Sequence, residues 1–251
     1  MVAICEVSTF HDPVGDTSTV FLQKHAETIK SLFPDIAIAV TDATNSNLLN
    51  LLDHLKIPYQ KTLTGKGSLS RRRALETGLQ SQAQTFFHID LDRLLFWLDQ
   101  YPQELEKVLQ QCKNLNNQFL VIGRTVKAWQ SHPIWQQEPE ALTNQAISRE
   151  LGVKLDVTAG CYAFDRTIAQ IITQTAQGEA SCVSDIEWVM IAKHIGAQIL
   201  SIKVDGLSYE TKLIFGQARA SQPAGNYESS RQKLAEQTIA MIEKVKTYDQ
   251  N

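Results

Sequence analysis

The sequence predicts an α/β protein whose sheet is assembled from strand-helix units. Two observations carry this. The first half of the chain alternates short apolar runs with amphipathic stretches, and clusters of turn-forming residues separate them. The length is also suitable: 251 residues with 43% hydrophobic and 20% charged content describe a folded globular chain of one large domain or two small ones.

Residues 2–7 form the first expected strand, ending in Ser8-Thr9 and a loop from His11 to Asp16. A helix through Val20, Phe21, Lys24 and Ile29 runs up to Pro34. Residues 36–40 make a second strand. Polar residues 41–46 follow it, then a helix with Leu48, Leu51, Leu52 and Leu55 at helical spacing. Beyond Pro58, residues 59–63 suit a third strand, and Gly65-Lys66-Gly67-Ser68 opens a helix carrying Arg71, Arg72 and Arg73. Residues 86–91 are expected as the fourth strand and 119–122 as another.

From 124 to 158 the text becomes irregular, with Trp129, His132, Pro133, Trp135 and Pro139 close together; it reads as an insertion or a binding surface. Residues 160–164 come next, then a helix through Ile168, Ile171 and Ile172, a loop at 177–183, a helix from Asp185 and a strand at 198–204. Residues 216–227 are polar and expected to be mobile. Leu234, Thr238, Met241, Ile242 and Val245 mark one face of a terminal helix. Residues 1–215 are thus expected to form the main domain, with the loop and helix of 216–251 packed on it.

Lys plus Arg is 24 against 27 Asp plus Glu, so a net charge of -3 gives no overall reason to expect nucleic acid as the partner. No apolar run approaches the roughly 18 residues of a membrane span, and no signal peptide is recognisable, so a cytoplasmic location is expected. Cys5, Cys112, Cys161 and Cys182 are widely spaced and lack a CxxC pair; they read as small buried apolar residues.

The most informative segment is Phe86-Phe87-His88-Ile89-Asp90-Leu91-Asp92-Arg93. In an extended strand His88, Asp90 and Asp92 share one side, and the Asp90 and Asp92 Cα atoms lie about 6.7 Å apart. Two carboxylates at that separation suit one Mg2+ or Mn2+ ion, with positions left for phosphate oxygens. The plainer reading is that both aspartates simply end a strand and begin a turn. Against it, like charges side by side are costly unless a cation or an arginine compensates.

Ser184-Asp185-Ile186-Glu187-Trp188 has the spacing of a capping box, with Trp188, Ile191, Ala192 and Ile195 as a buried stripe. Asp185 then stands at an element boundary, where a carboxylate can be held firmly and act as a general base. In Gly65 to Arg73, small residues at a helix start and neighbouring cations offer an anion site, although the P-loop spacing is absent and a turn with a solvated basic face explains it equally.

Taken in order from Val2 to about Glu210, these segments resemble glycosyltransferases of the GT-A fold, nearest in pattern to the large inverting family 2. The resemblance implies a Rossmann-like three-layer sandwich around a central mixed, mostly parallel sheet. It implies that Ser8, Thr9 and Asp42 border the nucleotide, that Arg71 and Arg72 or Lys66 touch the diphosphate, and that Asp90 and Asp92 hold Mn2+ or Mg2+, with Asp90 also facing the donor. His88 is expected as a neighbour of that site, and Tyr209 and Glu210 as candidates for a further contact from the C-terminal part. Ala159-Gly160-Cys161-Tyr162 falls on the acceptor side. The closing acidic pair carries over as Ser184-Asp185, with serine in place of the usual glutamate, which makes Asp185 the implied base. The implied substrates are a nucleotide-sugar donor and a hydroxyl acceptor. Two alternatives compete: a non-catalytic nucleotide- or sugar-binding protein using Trp129, Trp135 and His132, and a haloacid-dehalogenase-like phosphatase using Asp90 and Asp92, whose paired aspartates usually come earlier in the chain.

Overall fold

A computed structural model describes residues 3–180, 182–215 and 225–248. The chain opens with β1 (Ile4–Phe10), α1 (Asp16–Leu32), β2 (Asp35–Thr41), α2 (Ser46–His54), β3 (Tyr59–Thr62), α3 (Gly67–Gly78), β4 (Thr85–His88), α4 (Leu91–Gln100) and α5 (Pro102–Cys112). It continues through β5 (Gln118–Arg124), α6 (Val126–Ser131), α7 (Ile134–Leu151), β6 (Tyr162–Asp165), α8 (Arg166–Thr175), α9 (Ser184–His194), β7 (Gln198–Val204), α10 (Thr211–Phe215) and α11 (Gly225–Val245).

The strands form one sheet in the order β3-β2-β1-β4-β6-β5-β7. Only β6 is reversed, pairing antiparallel with β4 and β5, so the sheet is mixed and mostly parallel. Helices cover both faces because the strands bury both. Leu22 and Ile29 of α1, Leu48 and Leu52 of α2, Leu94 and Trp97 of α4 and Leu105 of α5 pack on one side. Leu75 of α3, Ile147 of α7, Ile168 of α8, Trp188 of α9 and Met241 of α11 pack on the other. This is the expected three-layer sandwich.

The reversed β6 matters for function. Parallel strands β1, β2, β4, β5 and β7 point their C-terminal ends at one edge, and β6 begins at that same edge. Crevices at such an edge, where strand order departs from sequence order, are the usual ligand sites of open α/β sheets.

Several local expectations need correction. The first strand runs to Phe10, beyond residues 2–7. The fourth ends at His88, so Asp90 and Asp92 do not alternate along a strand: Asp90 is the extended residue before α4, and Asp92 lies in its first turn. The cause is visible in Leu91-Asp92-Arg93-Leu94-Leu95-Phe96-Trp97-Leu98, a run whose leucines repeat with helical period. Residues 124–158 are chiefly two helices. Pro133 stands just before α7, and Pro139 is accommodated inside it. The capping box at Ser184 does not form: the residue before α9 is Val183, with no side-chain cap. Glu187 instead accepts from the backbone N–H of Gln177 at 2.7 Å and Gly178 at 2.9 Å.

Of the polar stretch expected to be mobile, residues 216–224 lie outside the described residues and 225–227 are helical. Helix α11 packs against α7 and α9, with Thr238, Met241, Ile242 and Val245 buried; the side chain of Leu234 lies outside the described ones. Cys5, Cys112 and Cys161 are buried and Cys182 is partly exposed; all are free thiols. No described helix is long and apolar enough to cross a membrane.

Candidate active site

At the ligand edge of the sheet, Arg71 joins two carboxylates that come from opposite ends of the sequence pattern. From α3 its Nη2 donates to Asp90 Oδ2 at 2.9 Å, and its Nη1 donates to Asp185 Oδ1 at 2.5 Å and to Ser184 Oγ at 3.2 Å. Asp90 Oδ1 also accepts from Thr9 Oγ1, at the end of β1, at 2.7 Å. Ser68, at the start of α3, fixes the second half of this arrangement. Its Oγ accepts from the Ser184 N–H at 2.8 Å and donates to the Ala180 carbonyl at 2.6 Å. Ser184 is fully buried, so a small side chain is what the junction of α3 and α9 admits. The Arg71 guanidinium lies against Gly160, whose φ is +64° and where a Cβ would stand 3.3 Å from Nη2.

The electrostatics follow from burial and pairing. Burial opposes the charge on Arg71, but Asp90 and Asp185 outweigh it and hold the guanidinium firmly protonated. For Asp90, burial would raise the carboxyl, yet Arg71 and Arg93 keep it well below the usual range. For Asp185, which is 3% exposed, burial wins: its carboxyl is raised despite Arg71. His88 is buried, donates from Nδ1 to the Val7 carbonyl at 3.0 Å and packs on Tyr162 and Trp188. Burial first, then Arg71, pushes its imidazole down to about 3, so it is neutral at physiological pH.

A second group of charges lies beside the first. Burial, then the neighbouring carboxylates of Glu210 and Asp90, pushes Asp92 up to about 7. Arg93 donates from Nη1 to the Ala159 carbonyl and is held protonated by Glu210, Asp90 and Asp92 against the effect of burial. Glu210 is 7% exposed, and its Oε2 has no hydrogen-bond partner. The chain leading to it is pinned: the N–H groups of Asp205 and Gly206 donate to the Glu104 carboxylate at 2.9 and 2.8 Å, and Tyr209 N–H donates to Ser131 Oγ at 2.8 Å. His132 donates to the Leu207 carbonyl at 3.1 Å, and its ring meets Tyr209 edge-on. Among the described residues, no three His, Cys, Asp or Glu side chains converge as a ready-made metal cage.

A third buried arginine organises a separate group of charges. Arg124, at the end of β5, is fully buried in its side chain and contacts Glu140 at 2.8 Å and Asp156 at 2.8 Å. Its Nη2 also donates to Thr158 Oγ1 at 2.8 Å, and the guanidinium stacks over Trp129 at 4.5 Å. A small cavity of about 20 Å³, room for about one water molecule, lies between α7, α9 and α11, lined by Asp185, Glu140, Thr143, Thr158, Cys182 and Thr238 among others.

The remaining sequence candidates are dispersed. Ser8 is fully buried beside Glu6 on the opposite face of β1 from Thr9. Asp42 stands exposed beyond β2, its Oδ1 accepting from Thr64 N–H at 2.9 Å and Oγ1 at 2.6 Å. Arg72 turns away from Asp90 and donates to the carbonyls of Ala176 and Gly178. Lys66 pairs with Glu179 at 2.5 Å. Sequence reasoning missed Ser68, Arg93, Arg124, Glu140 and Asp156. Of these, Glu140 alone had a periodic signal: Gln136, Glu140, Thr143 and Ile147 are the buried face of α7, a helical repeat written largely in polar residues.

This architecture defines a class. The chain has the GT-A fold of nucleotide-diphospho-sugar transferases, as comparison with solved structures shows. It superimposes on glucosyl-3-phosphoglycerate synthase from Mycobacterium tuberculosis, solved with Mn2+, UDP-glucose and phosphoglyceric acid, with TM-score 0.62 and 13% identity over 97% of this chain and 79% of that one. Mannosyl-3-phosphoglycerate synthase from Rubrobacter xylanophilus gives TM-score 0.61 and 14% identity over 95% of this chain and 73% of that one. No protein-family model and no curated protein matches the sequence.

Proposed function

We propose that the protein is a metal-dependent glycosyltransferase that moves a sugar from a nucleotide-diphosphate donor to a hydroxyl acceptor, with Asp185 as general base and inversion at the anomeric carbon. The observation that carries this reading is the convergence of Asp90 and Asp185 on one guanidinium at the C-terminal edge of the sheet. The fold likeness to enzymes solved with UDP-glucose and with Mn2+ or Mg2+ supports it.

The residues fit a hard divalent cation as an open, incomplete shell. Asp90 and Asp92 offer carboxylate oxygens, and the buried, unpartnered Oε2 of Glu210 is an acceptor that a nearby cation would satisfy. When bound, Mn2+ or Mg2+ supplies charge neutralisation for the departing diphosphate. Thr9 and Arg71 hold Asp90 in place. The acceptor oxygen forms its bond to the anomeric carbon as the bond from that carbon to the diphosphate oxygen breaks. The diphosphate leaves with the electron pair, and Asp185 takes the acceptor proton. Burial raises Asp185 and so strengthens it as a base, while the neighbouring Arg71 acts in the opposite direction.

A panel of nucleotide sugars, screened by thermal shift with and without Mn2+, tests the reading. Stabilisation by one donor that requires the ion, and loss of turnover in Asp185→Asn with donor binding kept, is the expected result. The tight Arg71–Asp185 pair favours one rival, a binding protein without turnover; metal-dependent donor binding with neither transfer nor hydrolysis would establish it.

A further inference from the structure

We infer that the cavity between α6 and α7 is a ligand site separate from the Asp90–Asp185 edge, and that it takes a small ring compound carrying a phosphate or a carboxylate. The inference goes beyond the transferase reading and stands whatever reaction that edge performs. The cavity measures about 450 Å³, inside the range of about 300 to 1,000 Å³ usual for small-molecule sites. It shares no lining residue with the water-sized cavity beside Asp185, and Arg71, Asp90, Asp92 and Glu210 are all absent from its lining.

Its polar lining divides into groups the fold has already used and groups it has not. Asp156 accepts from the backbone N–H and the guanidinium of Arg124 and from Asn144, so both of its oxygens are occupied. Ser148 accepts from the Leu155 N–H at 2.9 Å. Gln130, Gln145, Lys154 and Lys203 are left over: all four are exposed, and none has a side-chain hydrogen bond or ion pair among the described residues. Gln130 comes from α6, Gln145 from α7, Lys154 from the segment after α7, and Lys203 from the edge strand β7, so four elements converge on one space. Two ammonium groups around a single, already paired carboxylate favour an anion, and the two carboxamides can both donate and accept beside it.

The apolar lining specifies the rest of the ligand. Arg124 lies over the Trp129 ring at 4.5 Å and does not itself line the cavity, so the indole stands between the guanidinium and the open space. With Val126, Ala141 and Leu155 it offers a broad apolar surface on which the face of a sugar ring or a base can lie. A ligand that uses both halves has its ring on the indole and its charge at the lysines.

Calorimetric titration of the full chain, without any divalent cation, tests this with glucose 6-phosphate, glucuronate and adenosine monophosphate, and with glucose as the uncharged reference. At least one of the anions should bind at least tenfold more tightly than glucose, and should weaken severalfold between 50 and 500 mM salt as the attraction is screened. The double variant Lys154→Gln/Lys203→Gln should lose most of that affinity. Because both lysines are exposed and unpaired, its melting temperature should match that of the unsubstituted protein, which separates binding from folding. Loss confined to glucose 6-phosphate and glucuronate makes the ligand an acidic sugar, and loss confined to adenosine monophosphate makes it a nucleotide; either supports the site. Anions that bind no better than glucose, or that keep their affinity in the double variant or at high salt, overturn it.

Discussion

Arg71 donates to Asp185 at 2.5 Å and, from its other terminal nitrogen, to Asp90 at 2.9 Å, so one guanidinium holds two acids that arise from separate elements. Replacing it with methionine strands two buried carboxylates. A cost of about 3–5 kcal/mol in urea denaturation is expected, in line with breaking other buried pairs. Arg71→Lys keeps the charge but loses the fork, and should recover only part of this. Equal stability of Arg71→Met and the unsubstituted protein would show that the pairs contribute nothing to holding α3 and α9 together.

Asp92 is pushed up to about 7 by burial and by Glu210 and Asp90, so near neutral pH it is half protonated. A cation bound there must displace that proton. Affinity for Mn2+ is therefore expected to rise about tenfold per pH unit up to pH 7 and then level off. Calorimetric titration between pH 5.5 and 8.5 measures this; in Asp92→Asn the rise should vanish together with most of the affinity.

Glu6 is fully buried in β1, and burial pushes its carboxyl up to about 8 from 4.5. The folded state therefore holds a proton that the unfolded chain releases near pH 4.5. Its contribution is fully present below that pH and is lost progressively as pH rises through 8, amounting to at most about 5 kcal/mol. Glu6→Gln should flatten this part of the stability profile and raise the denaturation midpoint above pH 8, read from urea melts across pH 4–9.

Gly206 has its Cα hydrogen aimed at the Trp97 indole, where a Cβ would come within 2.0 Å. Gly206→Ala has to displace a fully buried tryptophan or the chain leading to Glu210, at a cost of about 1–3 kcal/mol. Because that chain carries Glu210 toward Asp92, weaker Mn2+ binding should accompany the lower melting temperature. Loss of stability with Mn2+ affinity unchanged would separate Glu210 from the ion.

The parts of this structure that sequence reveals are those where burial follows a simple period. Strand β7 matches residues 198–204 end to end, and Leu48 and Leu52 are buried as their spacing requires. Asp90 and Asp92 were recognisable as a pair, but their geometry was not: the apolar run through Phe86, Phe87 and Ile89 masks the change from extended to helical chain after His88. The group built by Arg124, Glu140 and Asp156 was hidden for a different reason. Helix α7 buries Gln136, Glu140 and Thr143, so hydrophobic periodicity has nothing to detect. Ser184 and Glu187 have capping-box spacing, yet Ser68 and the 177–178 backbone claim them through contacts far apart in sequence. Local patterns cannot report a partner that tertiary structure supplies.

The close seat of Gly160 beneath Arg71 ties the histories of two positions together. A side chain at 160 would have both a left-handed backbone to sustain and a guanidinium in its way. Arginine at 71 therefore restricts what position 160 can become, and a lineage that gave up the arginine would lift half of that restriction at once. Among homologues, substitutions at the two sites should appear together or not at all, a record of the contact that can be read without any structure.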